Sequence, residues 1–429
     1  MMKTIAKLLT LSLLVGLVSC SQPAQKQDGS TGALQQFIIS SPESVGFSAE
    51  RLQRIDKMID GYITENKIPC GVGFIARKGH VVYHKPFGMR DPEQGDPLGK
   101  DDIFRVASMS KAITSVAVMM LFEEGHFLLD DKLSDYIPEY KEMTVLERVR
   151  PDGSLVTRPA RKAITIRHLL THTSGIGYPF IHAELRPLYE ELDIPDGFVI
   201  TDRKLSESMT ALAKVPLLHE PGEAFTYGLN TDLLGYFIEV ISGMTFEEFL
   251  NERLFGPLGM EDTYFHLPDE KLDRLVPVYA STDEGYEPSD VEAYNYPFQG
   301  GKNYYSGGAG ICCPIEDYAK FMQMLVNGGR FNGHQILGRK TIDLMTTNQI
   351  EHLPDASPFG LGFGLVTEKN EHLTLCSVGN YSWGGYFSTS YWMDPVEDLV
   401  GLFFVQMYPN YHGEIHPKFQ VLTYQALVD

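Results

Sequence analysis

A chain of 429 residues, 43% apolar and 21% charged, can bury one large or two moderate globular domains, which excludes a disordered chain. Its formal net charge of −20 repels nucleic-acid phosphates and anionic lipid, so nucleic acid is not an expected partner. The same charge also serves solubility without reference to any partner.

The chain opens with Lys3 and Lys7, then the apolar run from Leu8 to Val18. That length and those flanks suit an export leader (residues 1–20) better than a spanning helix. The run ends in Leu17-Val18-Ser19-Cys20, which resembles the lipobox of bacterial lipoproteins. The resemblance implies that Cys20 becomes a lipidated N-terminus on the bacterial cell envelope, with membrane contact through that anchor alone. An ordinary cleaved leader and a buried helix with a chance cysteine are the alternatives. Residues 21–36, rich in Ser, Gln, Gly and Ala, read as a flexible tether, leaving 37–429 for the folded domain. Cys70, Cys312, Cys313 and Cys376 lack zinc-site spacing and read as small buried apolar side chains. Pairing of Cys70 or Cys376 with either neighbour stays open.

Ser48 caps an expected helix carrying Leu52, Ile55, Ile59 and Ile63 and ending near Asn66. Runs 72–76 and 81–87 flank Lys78-Gly79 as a hairpin. After a polar loop, Ala107 to Glu124 shows helical spacing (Ile113, Val116, Met120), stopped by Gly125. Residues 128–300 are mainly helical in pattern with long loops, and 315–327 is a further helix. Strands are expected at 363–367, 373–378, 386–393 and 399–406, with a last helix at 417–428. Strand and helix do not alternate, which argues against a doubly wound parallel sheet. The expected fold is α+β: an antiparallel sheet from both chain ends, flanked by helices, with a mainly helical insertion at roughly 128–300.

Ser108-Met109-Ser110-Lys111 puts a hydroxyl and an amine three residues apart at a helix start, on one face, beside unpaired N–H groups. That geometry suits a serine nucleophile with a lysine base, although a serine at a helix start is more often only a cap. Phe104 to Lys111 resembles the active-site segment of class C β-lactamases and related esterases. Leu169 to Ile176 is similar to a stretch recurring in that superfamily; within it His172, lacking an H-E-x-x-H pattern, reads as structural. Phe225 to Asp232 resembles the Y-x-N segment, with Tyr227 as the tyrosine; Leu229 occupies the asparagine position and Asn230 follows it. Trp383-Gly384-Gly385 corresponds by position to the K-T-G segment and resembles family VIII carboxylesterases. These matches run in family order from about Phe47 to Gln406.

The resemblance implies a β-lactamase/transpeptidase-like serine hydrolase. Ser108 is then the nucleophile, Lys111 and Tyr227 the proton-transfer pair, and the backbone N–H groups of Ser108 and Tyr386 the oxyanion hole. Trp383, Gly384, Gly385 and Asn230 would contact substrate. No metal or organic cofactor is implied, and the oligomeric state is not readable. Trp383 offers no cation for a substrate carboxylate, which favours a small-molecule ester or amide as substrate. A β-lactamase or D-Ala-D-Ala carboxypeptidase is the rival enzyme, and a non-catalytic binding module on the same fold is the rival of another class. No G-x-S-x-G, phosphate-loop or dinucleotide motif is present.

Overall fold

The strand Cys70–Arg77 shows how the sheet divides the interior. Val72, Phe74 and Ala76 enter one apolar core and Ile75 the other, the two-residue period of a strand buried on both sides. Leu399–Phe404 and Thr389–Asp394 alternate likewise: Val400, Leu402, Phe404, Tyr391 and Met393 join the first core, and Phe403 and Trp392 the second. Both faces therefore need cover. Ile315–Val326 covers the first, and Ala49–Thr64 with Ile415–Tyr424 the second. The computed structural model describes residues 36–198 and 200–429; the leader, Cys20 and tether residues 21–35 lie outside the described residues.

Across the sheet the order is Ile38–Ile39, His80–Asp91, Cys70–Arg77, Leu399–Phe404, Thr389–Asp394, Tyr381–Gly385, Gly364–Leu365. The two chain ends thus build one sheet of the β-lactamase/transpeptidase-like α+β type. It is mixed rather than wholly antiparallel: Ile38–Ile39 runs parallel to His80–Asp91. A parallel pair needs a long crossover, and the helix Ala49–Thr64 with the strand Cys70–Arg77 supplies it.

The N-terminal expectations hold closely. Ser48 accepts the Arg51 N–H as cap, and the hairpin joins Cys70–Arg77 to His80–Asp91. The Ser108 helix begins as a 3₁₀ turn, Ala107–Met109, and continues as Ser110–Glu123. It is buried on all sides from Ser110 to Leu121, and packs against the helix Asn230–Ser242. The four cysteines of the folded part are free and buried. No helix among the described residues is long and apolar enough to cross a membrane.

The C-terminal strands differ from expectation. Residues 373–378 form no strand; Leu373 and Leu375 are exposed, and the chain there is a turn and loop. The strand lies later, at Tyr381–Gly385, and Tyr386 to Ser388 turn into Thr389–Asp394. Two glycines concealed the strand, since glycine weakens its pattern. Within the insertion the hairpins Thr144–Val149/Leu155–Pro159 and Tyr279–Thr282/Gly285–Pro288 depart from the helical expectation, their strands being too short to carry a clear alternation.

His416, on the C-terminal helix, shares a hydrogen bond of 2.8 Å through Nδ1 with Ser390 Oγ, while Nε2 has no partner. Burial pushes its pKa down to about 4, as it does for His84, His168 and His266. With the folded value below the unfolded one of about 6.5, the native state binds fewer protons. Stability is therefore intact above that pH and falls as the pH drops toward 4. The urea midpoint should decline steeply across this window, and His416→Asn should remove up to about 3 kcal/mol of the decline.

Candidate active site

At Ala107 the chain turns from the strand Phe104–Arg105 into the 3₁₀ turn bearing Ser108. Ala107 has φ 46°, a left-handed conformation that an alanine adopts only where its surroundings enforce it. The enforcement is visible: Val106 N–H donates to the Ile311 carbonyl at 3.1 Å, and Ile311 N–H to Ser110 Oγ at 3.1 Å. Ala107 itself is fully buried.

One turn on, Lys111 is 3% exposed. Its Nζ donates to Ser108 Oγ at 3.2 Å and to the Gly308 carbonyl at 2.7 Å. The ammonium lies 4.6 Å from the ring centroid of Tyr227 and 5.5 Å from that of Tyr178. Tyr227 arrives from the loop before Asn230–Ser242. Its hydroxyl accepts the indole N–H of Trp383 at 3.3 Å, and its ring packs 4.9 Å from His172. The amine and the serine hydroxyl come from one helix start and the tyrosine from a distant loop. The phenol bonds to Trp383, and its ring rather than its oxygen meets the amine.

Trp383, Gly384 and Gly385 close the strand Tyr381–Gly385. With Ser108, Tyr227 and Tyr386 they line a cavity of about 790 Å³. Any Cβ on Gly385 would stand 2.5 Å from the Val106 carbonyl, so only glycine lets this strand end approach the serine turn. Tyr386 follows the last ladder pair, Gly385–Thr389. On its other side Trp383 lines a second cavity, of about 570 Å³, with Phe225 and Phe359.

Asn230 is not a cavity residue. It is fully buried; its Oδ1 accepts from Ser174 Oγ and its Nδ2 donates to His172 Nδ1 at 3.1 Å. The one-residue shift from Y-x-N turns its amide inward, where it fastens the Leu169–Ile176 segment to the helix. His172 has φ 54°, and burial, with a smaller effect of the Lys111 charge, holds its pKa well below the usual imidazole range.

Three participants were not picked out from the sequence. Asp232 was inside the Tyr227 segment without a role. It is fully buried, its Oδ1 accepts from Ser306 Oγ at 2.7 Å, and its Oδ2 is unpartnered. Burial raises its pKa, opposed by the Ser306 bond and the Lys111 charge. Gly308 belongs to the glycine-rich turn Ser306-Gly307-Gly308-Ala309-Gly310, whose residue types alone point to no chemistry, and Tyr178 is a single loop aromatic that no periodicity marks.

The fold and the serine–lysine–tyrosine cluster define a serine hydrolase of β-lactamase-like architecture. The chain belongs to the β-lactamase family, whose model (Beta-lactamase) matches residues 55–422. It is 30% identical over 408 residues to Protein Rv1367c of Mycobacterium tuberculosis, covering 86% of this chain and 99% of that one. It is 28% identical over 365 residues to Esterase EstB of Burkholderia gladioli, covering 81% and 88%. Among known structures it resembles EstCE1, described as a hydrolase with promiscuous acyltransferase activity. There the TM-score is 0.73 at 26% identity, over 87% of this chain and 99% of that one.

A Cβ on Gly308 would lie 2.4 Å from Asp232 Oδ2 and 3.1 Å from the Tyr178 hydroxyl. Gly308→Ala should therefore displace the carbonyl that holds Lys111. Hydrolysis of 4-nitrophenyl butyrate should fall by about tenfold or more; an unchanged rate would show that the amine does not depend on this carbonyl.

Proposed function

We propose that this hydrolase is a carboxylesterase that cleaves an ester, and more slowly an amide, through an acyl-enzyme on Ser108. The observation that carries the reading is the Trp383 indole, which bonds to the Tyr227 hydroxyl where K-T-G relatives carry a lysine. A flat apolar wall favours an uncharged acyl or alcohol group over a carboxylate. No lysine or arginine is among the described residues lining the cavity.

In this mechanism Ser108 Oγ attacks the substrate carbonyl and its proton passes to the Lys111–Tyr227 pair: the amine is already bonded to Ser108, and the phenol oxygen closes onto it when substrate binds. The oxyanion is received by the N–H groups of Ser108 and Tyr386. The pair returns the proton to the departing alkoxide, leaving the acyl group on Ser108. Water then attacks, gives its proton to the pair and releases the acid, and Ser108 recovers its proton. His172, kept neutral by burial, exchanges none. An alcohol in place of water would give acyl transfer, the side activity named for EstCE1. Lys3, Lys7, the apolar run and Cys20 support a lipid-anchored place on the bacterial cell envelope.

Ser108→Ala should abolish turnover of 4-nitrophenyl butyrate with an unchanged circular dichroism spectrum, and Tyr227→Phe should lower kcat by about 10² to 10⁴. Wild-type protein should prefer short-chain nitrophenyl esters to a chromogenic cephalosporin. Full activity in Ser108→Ala would end the assignment, and faster cephalosporin hydrolysis would shift it to a β-lactamase.

A further inference from the structure

We propose that the cavity in front of Ser108 selects esters carrying an organic ammonium group, seated against aromatic rings and countered by Asp196. The proposal rests on the esterase reading and names its substrate class.

The cavity walls are unusually uniform. Tyr178, Phe180, Phe198, Tyr294, Tyr386 and Tyr408 all line it, in addition to the catalytic-side rings. They form two connected groups. Tyr178 stacks on Phe180 at 4.8 Å. Phe198 packs 5.1 Å from Tyr386 and 6.0 Å from Tyr294, and Tyr386 stacks on Tyr408 at 3.7 Å. Aromatic faces carry negative potential and attract cations within about 6 Å, most strongly where water is excluded. The protein already uses these walls in that way: Lys111 lies over the rings of Tyr178 and Tyr227.

Asp196, two residues before Phe198, is the one carboxylate among the described lining residues, and no side chain among the described residues donates to it. Burial raises its pKa, opposed by its own backbone N–H and by Arg186, which does not line the cavity. A half-buried carboxylate with no ion pair among the described residues, at the edge of an aromatic cage, is the chemistry that recognises a tertiary or quaternary ammonium group. An anionic substrate would meet both the carboxylate and the ring faces unfavourably. The net charge of −20 adds long-range attraction for a cation.

The test compares two compounds of one shape, 3-hydroxyphenyltrimethylammonium and the neutral 3-tert-butylphenol. Binding is measured by calorimetry on the full chain bearing Ser108→Ala, so it does not depend on Ser108 being the nucleophile. The cation should bind at least about tenfold more tightly than its isostere, and adding Asp196→Asn should bring the ratio below about threefold. Because each ratio is taken within one preparation, any loss of folded protein cancels. Equal or tighter binding of the neutral compound, no detectable binding of the cation, or a ratio that survives Asp196→Asn overturns the proposal. Failure of the esterase reading would appear elsewhere, as full turnover of 4-nitrophenyl butyrate by Ser108→Ala.

Discussion

A lysine that is 3% exposed, with no carboxylate in ion-pair contact among the described residues, organises this molecule. Removing an ammonium from water is costly unless its protons are bonded and its charge is met by something polarisable. Lys111 is met by one carbonyl, one hydroxyl and two ring faces. Each of these comes from a different segment. The carbonyl needs the glycine-rich turn, the rings come from two separate loops, and the hydroxyl comes from the strained turn at Ala107. Asp232 stands behind the turn with one oxygen unpartnered, so a compensating field is present without a direct salt bridge that would quench the amine. A tight ion pair would be simpler for stability and worse for a base.

The sheet contributes through its end rather than its middle. The strand Tyr381–Gly385 reaches the serine turn only because Gly385 carries no side chain, and it brings Trp383 onto the phenol. The cover on each face makes this placement rigid. Ile315–Val326 backs the face bearing Tyr391 and Phe404, and Phe419 from the C-terminal helix stacks on Phe403 at 4.9 Å behind the other. A site assembled from a strand end, a helix start and two loops keeps its geometry only if those supports do not move.

How much of this was legible in the sequence follows from the range of each interaction. Ser108 and Lys111 are three residues apart, and a helix start makes them neighbours by local geometry alone. The Ser48 cap and the 70–91 hairpin are local in the same sense. Tyr227 and Trp383 were reachable only through resemblance, since 156 residues separate them. Asn230 was misread because a shift of one residue at a helix start rotates a side chain by about 100°. The strand at 381–385 was hidden by its glycines, which are what let it do its work. At 373–378 an apolar alternation reads as a strand although Leu373, Leu375 and Val378 face water. Asp196, in a loop, and Asp232, in the first turn of a helix, carry no pattern at all: an isolated acid becomes informative only when folding surrounds it with rings or buries it.

Tryptophan at position 383, where the sequence resemblance sets the lysine of K-T-G relatives, then has a wider physical meaning. A cation at a strand end favours a carboxylate in the substrate through the Coulomb term, and a desolvated site amplifies that preference. With an indole there, the remaining fixed cation in the site is Lys111, whose bonds are spent on Ser108 and Gly308. The cavity in front of it is bounded by rings and one acid. Its electrostatic preference is therefore reversed relative to a carboxylate-binding site, while the nucleophile, its amine and the strand geometry stay in place. Reactivity and selectivity are separable here because they reside on different residues around one cavity: the nucleophile's side depends on a buried, hydrogen-bonded amine, and recognition depends on what the aromatic walls attract.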